Sequence, residues 1–251
     1  MAHAWMPEAR RIRADTDGGP LIGGAPRAVW LTLGTAPGAV SVQSAAQRLI
    51  SEHRPCHLIW DPVTGDVVQL ISVLRAGRAL GAADHLDWAP GRVRVGPENV
   101  NAEGRVCVQI GVLGHPGQPF TGGTLRGIEA IVSWLDSWGV SRRWPAGRPD
   151  GYRLDMPAAA AALADQRSRV RWARGGYFGA SQVPGCDNAG PGAIDIDRIT
   201  GINGVNCVNG GVNGGVSNGV NGGVNGSHGL QMRARGLPPA RAEAAALAIP
   251  A

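Results

Sequence analysis

Apolar and polar positions fall in blocks that predict short buried strands separated by amphipathic helices. Ala28 to Leu33 (Ala-Val-Trp-Leu-Thr-Leu) reads as a buried strand. Ser41 to His53 reads as a helix: Ser41 can cap it, and Val42, Ala45, Ala46 and Leu49 recur at helical spacing. Cys56 to Trp60 and Val67 to Ile71 are two short strands. The Asp-Pro-Val-Thr-Gly-Asp turn between them predicts a hairpin, because Pro fixes φ and Gly supplies a positive φ. Leu74 to Leu80 is expected to be a short helical turn carrying Arg75 and Arg78, and residues 82–104 to be irregular. Val106 to Leu113 is apolar on both faces and predicts a central strand. Thr121 to Trp138 carries the strongest helical stripe (Leu125, Ile128, Ile131, Val132, Leu135), with Gly139 as its stop. Residues 140–154 read as a loop rich in Arg, Pro and Gly. Met156 to Arg167 is an Ala-rich helix with Pro157 in its first turn. Gly175 to Asp197 reads as a long Gly- and Pro-rich loop. It runs into a last helical turn over Ala193 to Ile199, with Asp195 and Asp197 near its start.

Strands that alternate with helices, plus one hairpin, predict an α/β domain: a mixed β-sheet flanked by helices. The expected organisation is an N-terminal arm over 1–27, a domain over 28–199, a Gly/Asn/Val-rich segment over 200–229 and a C-terminal tail over 230–251. In the arm, Trp5 is expected to pack on the domain surface as a strap. Between Gly201 and Gly229 the apolar residues recur at nearly helical spacing, but Gly and Asn are poor helix formers, so a low-complexity linker is expected.

Composition changes this picture little. The chain has 251 residues, 43% of them apolar, which suffices for one core. The net charge of +5 is carried mainly by Arg and suits an anionic partner without selecting one. Cys56, Cys107, Cys186 and Cys207 form no Cys-x-x-Cys pair, so neither a zinc ribbon nor a disulfide framework is indicated. Charge at Glu8 and Arg10 to Arg13 precedes any apolar h-region, so no signal peptide is expected. No apolar run approaches the ~20 residues of a membrane span. Synthesis in the cytoplasm is expected, with action at a cell wall or in an assembly only after release or transport.

Four stretches carry chemical motifs. Leu-Thr-Leu-Gly-Thr-Ala ends the first strand. Cys-His-Leu-Ile-Trp-Asp-Pro-Val-Thr-Gly-Asp-Val-Val-Gln spans the hairpin. Asn101 to Gly114 contains Val-Gln-Ile-Gly-Val. Gly179 to Asp195 reads Gly-Ala-Ser-Gln-Val-Pro, a short gap, then Gly-Pro-Gly-Ala-Ile-Asp. In order and spacing they resemble the zinc-dependent N-acetylmuramoyl-L-alanine amidases of type 2 and the peptidoglycan recognition proteins, especially actinobacterial and actinophage members. The resemblance spans about 170 residues and implies that family's fold.

The resemblance also assigns roles to positions. The three zinc-ligand positions are occupied here by Gly34, Ala180 and Gly190, the catalytic Glu position by Gly111, and the catalytic Tyr position of some members by Cys56. A catalytic zinc needs three protein ligands and an open position for water, whose pKa it lowers to about 7. Gly and Ala offer neither a lone pair nor a proton. The expectation is therefore no catalytic residue and no metal ligand, on a cleft floor left roomy by small residues. A replacement metal site would have to draw on His57, Cys56, Cys186 or Asp187. Ligand contacts are assigned to His57, Arg78, Asn101, Gln182 and Asp187, with Arg75, Arg142 and Arg143 as further partners for peptide carboxylates. Structural roles stay open for His57 as a core-edge residue and Asp187 as a loop cap.

Three functions remain open at this point. The first is a catalytically degenerate module that binds peptidoglycan or muropeptide without cleaving it and needs no cofactor. The second is a structural or assembly component, for instance of a phage particle, docking to other chains through 200–251. The third is an active zinc amidase of the phage-lysin type with an unrecognised site. Nucleic acid is not expected as a partner.

Overall fold

The computed structural model describes residues 1–36, 38–80, 99–150, 167–186, 188 and 190–201. They lie within one compact unit that spans Met1–Asn209. The Ala-rich stretch over 156–166, the Gly/Asn/Val segment and the tail lie outside the described residues, as do Asp187 and most of 82–104.

The sheet has six strands: β1 (Arg10–Arg11), β2 (Arg27–Thr32), β3 (Leu58–Trp60), β4 (Val67–Gln69), β5 (Cys107–Val112) and β6 (Gly176–Gly179). Their order is β1-β4-β3-β5-β2-β6. Only the β3–β4 hairpin is antiparallel; the other four pairings are parallel. The mixed α/β sheet expected from the sequence is therefore present, with β5 near its centre. Every residue of β2 and β5 is buried, as strands covered on both faces require.

Among the described residues four α-helices flank it: α1 (Val42–Ser51), α2 (Ile128–Ser137), α3 (Arg169–Ala173) and α4 (Ile196–Thr200). Alternation along the strands divides the core in two. Trp30, Trp60, Val108, Ile110 and Tyr177 face α2, where Trp30 meets Trp60 edge-on at 6.2 Å and Tyr177 at 6.0 Å. Val29, Leu31, Ile59, Cys107 and Phe178 face α1 with Val42, Ala45, Ala46 and Leu49. Ser41 caps α1 by accepting from the Ser44 N–H, and Asp195 caps α4 by accepting from Asp197 and Arg198.

Three expectations need correction. Leu74 to Leu80 is not helical. Four of its N–H groups donate outward instead, from Ala76 to Gly19 O, Arg78 to Pro55 O, Ala79 to Gln109 Oε1 and Leu80 to Asn101 Oδ1, in place of an i−4 ladder. The helix expected from Thr121 begins only at Ile128. A short 3-10 turn over Phe120–Gly122 comes first; then the Arg126 N–H donates to Pro62 O while Arg126 O accepts from Trp60 Nε1, so the hairpin takes the hydrogen-bonding groups an earlier helix start would use. The stretch from Gly175 opens as β6 rather than as loop. Its small residues conceal a strand that pairs with β2 and whose Tyr177 and Phe178 reach opposite core faces.

The N-terminal arm is stitched to the sheet. His3 O accepts from both Trp134 Nε1 and Trp138 Nε1. Buried Gln69 accepts from the Met6 N–H at 2.6 Å and donates through Nε2 to Ala4 O and Ile71 O. Arg75 then grips Asp17 through two bonds of 2.9 Å. Trp5 is partly exposed, and the guanidinium groups that lie over its ring are those of Arg11 and Arg13 in the same arm. Gln69→Leu leaves three backbone groups near the arm without their partner. It is expected to cost roughly 2–4 kcal/mol in urea denaturation. It should also open the Arg10 to Arg13 stretch to trypsin at a protein concentration where the parent chain is resistant.

Candidate functional site

The register of the parallel strands fixes where the motif positions meet. Leu31 of β2 pairs with Gly111 of β5, and Trp30 pairs with Gly179 of β6. Ala180 directly follows β6, and Gly34 lies two residues beyond β2. The loop after Ala180 folds back so that the Ser181 N–H donates to Gly190 O at 2.7 Å. Gly190 comes to rest on Thr32: a Cβ at 190 would lie 2.6 Å from Thr32 Oγ1 and 3.0 Å from Thr32 N. Three stretches far apart in sequence thus gather at the C-terminal ends of β5, β2 and β6. This is the end of a parallel sheet where ligand sites are generally built.

The floor is not roomy, contrary to expectation. A Cβ at Gly111 would meet Leu33 Cδ2 at 3.1 Å and Cys56 Sγ at 3.2 Å, so those two side chains occupy the direction a longer residue would take. Ala180 is fully buried in the core with Leu31, Cys56, Val183 and Cys186. Gly34 is exposed, with open space beside it, but its φ of +69° lies in the left-handed region. The Cys56 thiol donates to Leu58 O at 3.1 Å, and burial pushes its pKa up to about 12, so it is an inert core thiol.

A zinc ion does not fit this arrangement. None of Gly34, Ala180 and Gly190 has a side-chain donor, and the space beside Gly190 is held by the Thr32 hydroxyl. Among the described residues, no three His, Cys, Asp or Glu side chains come together in a way that could hold a metal.

Three of the five assigned ligand contacts, His57, Asn101 and Gln182, spend their polar atoms within the fold. His57 is fully buried: its Nδ1 accepts from the Gln109 N–H at 3.1 Å, which leaves Nε2–H to donate to Arg75 O at 2.9 Å. Asn101 binds Leu80 through both amide atoms and accepts from Gln109 Nε2. Gln182 accepts from the Gly179 N–H and donates to Gly147 O, latching β6 to the 146–147 turn. Arg78 is partly exposed. Of the further arginines, Arg75 is paired with Asp17 and Arg142 with Asp136, while Arg143 is exposed.

Three hydroxyls at the motif corner were not singled out from the sequence. Thr32 Oγ1, Thr35 Oγ1 and Ser181 Oγ are buried and make no hydrogen bond among the described residues. A possible signal was the placement of polar residues beside the missing ligands, in Leu-Thr-Leu-Gly-Thr and Ala-Ser-Gln. Two guanidinium groups approach the same corner: Arg48 donates to Leu33 O at 3.0 Å, and Arg167 donates to Ser181 O at 2.9 Å.

No protein-family model matches the sequence, and no curated protein matches it. Among solved structures, the chain is similar to the Staphylococcus aureus hydrolase AmiA in complex with its ligand. The TM-score is 0.42 at 12% identity, over 74% of this chain and 73% of that one. It is also similar to the endolysin N-acetylmuramoyl-L-alanine amidase LysCS from Clostridium intestinale, with a TM-score of 0.41 at 12% identity, over 81% of this chain and 99% of that one. For Citrobacter freundii AmpD the values are 0.32 and 13%, over 55% and 73%. No helix among the described residues is long and apolar enough to cross a membrane.

Two outcomes follow from this geometry. Gly190→Ala drives a methyl group into Thr32 and is expected to cost about 1–3 kcal/mol, measured as a shift of the urea midpoint at unchanged slope. Burial holds the His57 pKa down to about 4, against 6.5 in an open chain. Its contribution is therefore fully present above pH 6.5 and is lost as the pH falls towards 4, by up to about 3 kcal/mol. A Tm series across that window should fall with pH in the parent chain and more shallowly in a His57→Gln variant.

Proposed function

We propose that the chain is a non-catalytic peptidoglycan-binding module on an amidase-type frame, recognising muropeptide without hydrolysing it. The observation that carries this reading is the convergence of three motif stretches at one end of the sheet, where Gly34, Gly111, Ala180 and Gly190 bring neither a metal ligand nor a general base. What the corner does bring is hydrogen-bonding capacity. The hydroxyls of Thr32, Thr35 and Ser181 are buried there without a partner among the described residues, and each can donate and accept. Muropeptide amides and sugar hydroxyls are complementary to such groups, and Arg48 and Arg167 supply positive charge beside them for stem-peptide carboxylates. Burial gives these bonds their value, because an unpaired hydroxyl away from water costs more than a solvated one.

The family's chemistry has no place in this reading. Hydrolysis of the amide would need an activated water and a stabilised oxyanion. Cys56 sits in the core, where it keeps its proton, and His57 spends both ring nitrogens on the backbone.

Co-sedimentation with purified cell wall tests the proposal. The protein should pellet with the wall, release no soluble peptide and behave identically with and without EDTA. Combining Thr32→Val with Ser181→Ala should weaken binding about tenfold, corresponding to about 1.4 kcal/mol. Protein that stays in the supernatant at low salt would sink the proposal. Stoichiometric zinc, or wall clearing that EDTA abolishes, would replace it with an active amidase.

A further inference from the structure

The hydroxyls that a muropeptide would use are covered by the chain itself. Thr32 and Ser181 are only 7% and 6% exposed, and both oxygens are buried without a partner among the described residues. The cover is backbone. Gly190 rests on Thr32 so closely that a Cβ there would lie 2.6 Å from the Thr32 hydroxyl. Its carbonyl accepts from the Ser181 N–H at 2.7 Å, and its own N–H turns back to Asn188 Oδ1 at 2.7 Å. Pro191 packs behind it: a Cβ at Gly179 would lie 2.6 Å from Pro191 Cδ and 3.0 Å from Pro149 Cγ. Val183 and Cys186 before Gly190, and Ile194 after it, are fully buried and anchor both ends. The covered arrangement is therefore the resting one. It is also incompletely satisfied. Gly190 brings no side chain that could bond either hydroxyl, and a hydroxyl taken from water without a partner is costly. Closure over two of them cancels part of what the packing gains.

We infer that Gly190 is an autoinhibitory contact: the corner is closed at rest, and muropeptide binds the minority of molecules in which Gly190 has lifted from Thr32 and Ser181. The identity of the ligand rests on the muropeptide reading; the closure rests on the burial of the two hydroxyls. Lifting Gly190 gives up its bond with Ser181 and frees that N–H together with both hydroxyls. The opened corner then offers a backbone donor and two groups that donate and accept, a set that pairs with peptide amides and sugar hydroxyls. The ligand pays for opening by satisfying groups that the closed state leaves unpaired. Its apparent affinity is the intrinsic affinity reduced by the open fraction. The strands need not move, because β2 keeps its pairing with β5 and β6 whether or not Gly190 sits on Thr32.

Two measurements on the full-length chain test it. The first is native-state hydrogen exchange without ligand. The Ser181 N–H, bonded to Gly190 O, should exchange roughly a hundredfold faster than the amides of β2, at a rate that low urea leaves unchanged, as local opening requires. The second locks the contact. With a Cβ at 190 lying 2.6 Å from Thr32 Oγ1, the Cβ atoms at 32 and 190 stand no more than about 4 Å apart, within the span of a disulfide. Thr32→Cys and Gly190→Cys are combined in a Cys207→Ser background; Cys56, Cys107 and Cys186 are buried. Oxidation should weaken binding of soluble muropeptide about tenfold or more, and dithiothreitol should restore it. The comparison lies within one variant, so loss of the Thr32 hydroxyl is common to both arms. Ser181 exchange that occurs only with β2, in global unfolding, would overturn the inference, as would equal binding by the oxidised and reduced forms. Where neither form of the variant binds, exchange in the parent chain decides. A parent chain that binds neither muropeptide nor wall sinks the muropeptide reading, and the exchange result still decides whether Gly190 lifts.

Discussion

The structure depends on burying β2 completely between two parallel neighbours. Its backbone pairs with β5 on one side and β6 on the other, and its side chains feed both core layers. A strand in that position has no solvent to satisfy a misplaced polar group, so its register admits no slippage. That register brings Gly111 level with Leu31 and Ala180 just beyond Trp30, and Thr32 then receives the loop at Gly190. The N-terminal arm completes the other side of the same sheet through Gln69, whose side chain joins three separate backbone groups.

Much of this was legible because burial writes a strong pattern. Val29, Trp30 and Leu31 could only be core. The α1 stripe and its Ser41 cap told the same story at two levels. The hairpin announced itself through its turn chemistry. Misreadings occurred where long-range hydrogen bonds overrode local preference. The segment from Leu74 has helix-forming residues but spends its N–H groups on Gly19, Pro55, Gln109 and Asn101. The segment before Ile128 continues the apolar stripe but is captured by the hairpin. β6 escaped notice because Gly176 and Gly179 dilute the signal of Tyr177 and Phe178. A two-residue strand such as β1 has no pattern to detect.

Of the candidate corner, the sequence marked the stretches and the residue types but not the shape. The register of β2, β5 and β6 is what brings those stretches to one end of the sheet. Nothing in the sequence told that Leu33 and Cys56 fill the direction above Gly111, or that polar side chains assigned to a ligand turn inward. His57, Asn101 and Gln182 are hydrogen-bond hubs that hold the backbone beneath the corner. Residue type alone could not distinguish a side chain that contacts a ligand from one that supports the residues around it.

The fit of Gly190 against Thr32 has a consequence for what can stand there. A glycine beside open space would be neutral to replace. Here the loop has settled into the space that a side chain would claim, and Gly34 has taken a backbone shape that suits few other residues. The arrangement works as a ratchet: substitutions taken one at a time at these two positions cost stability before any new side chain there could be of use.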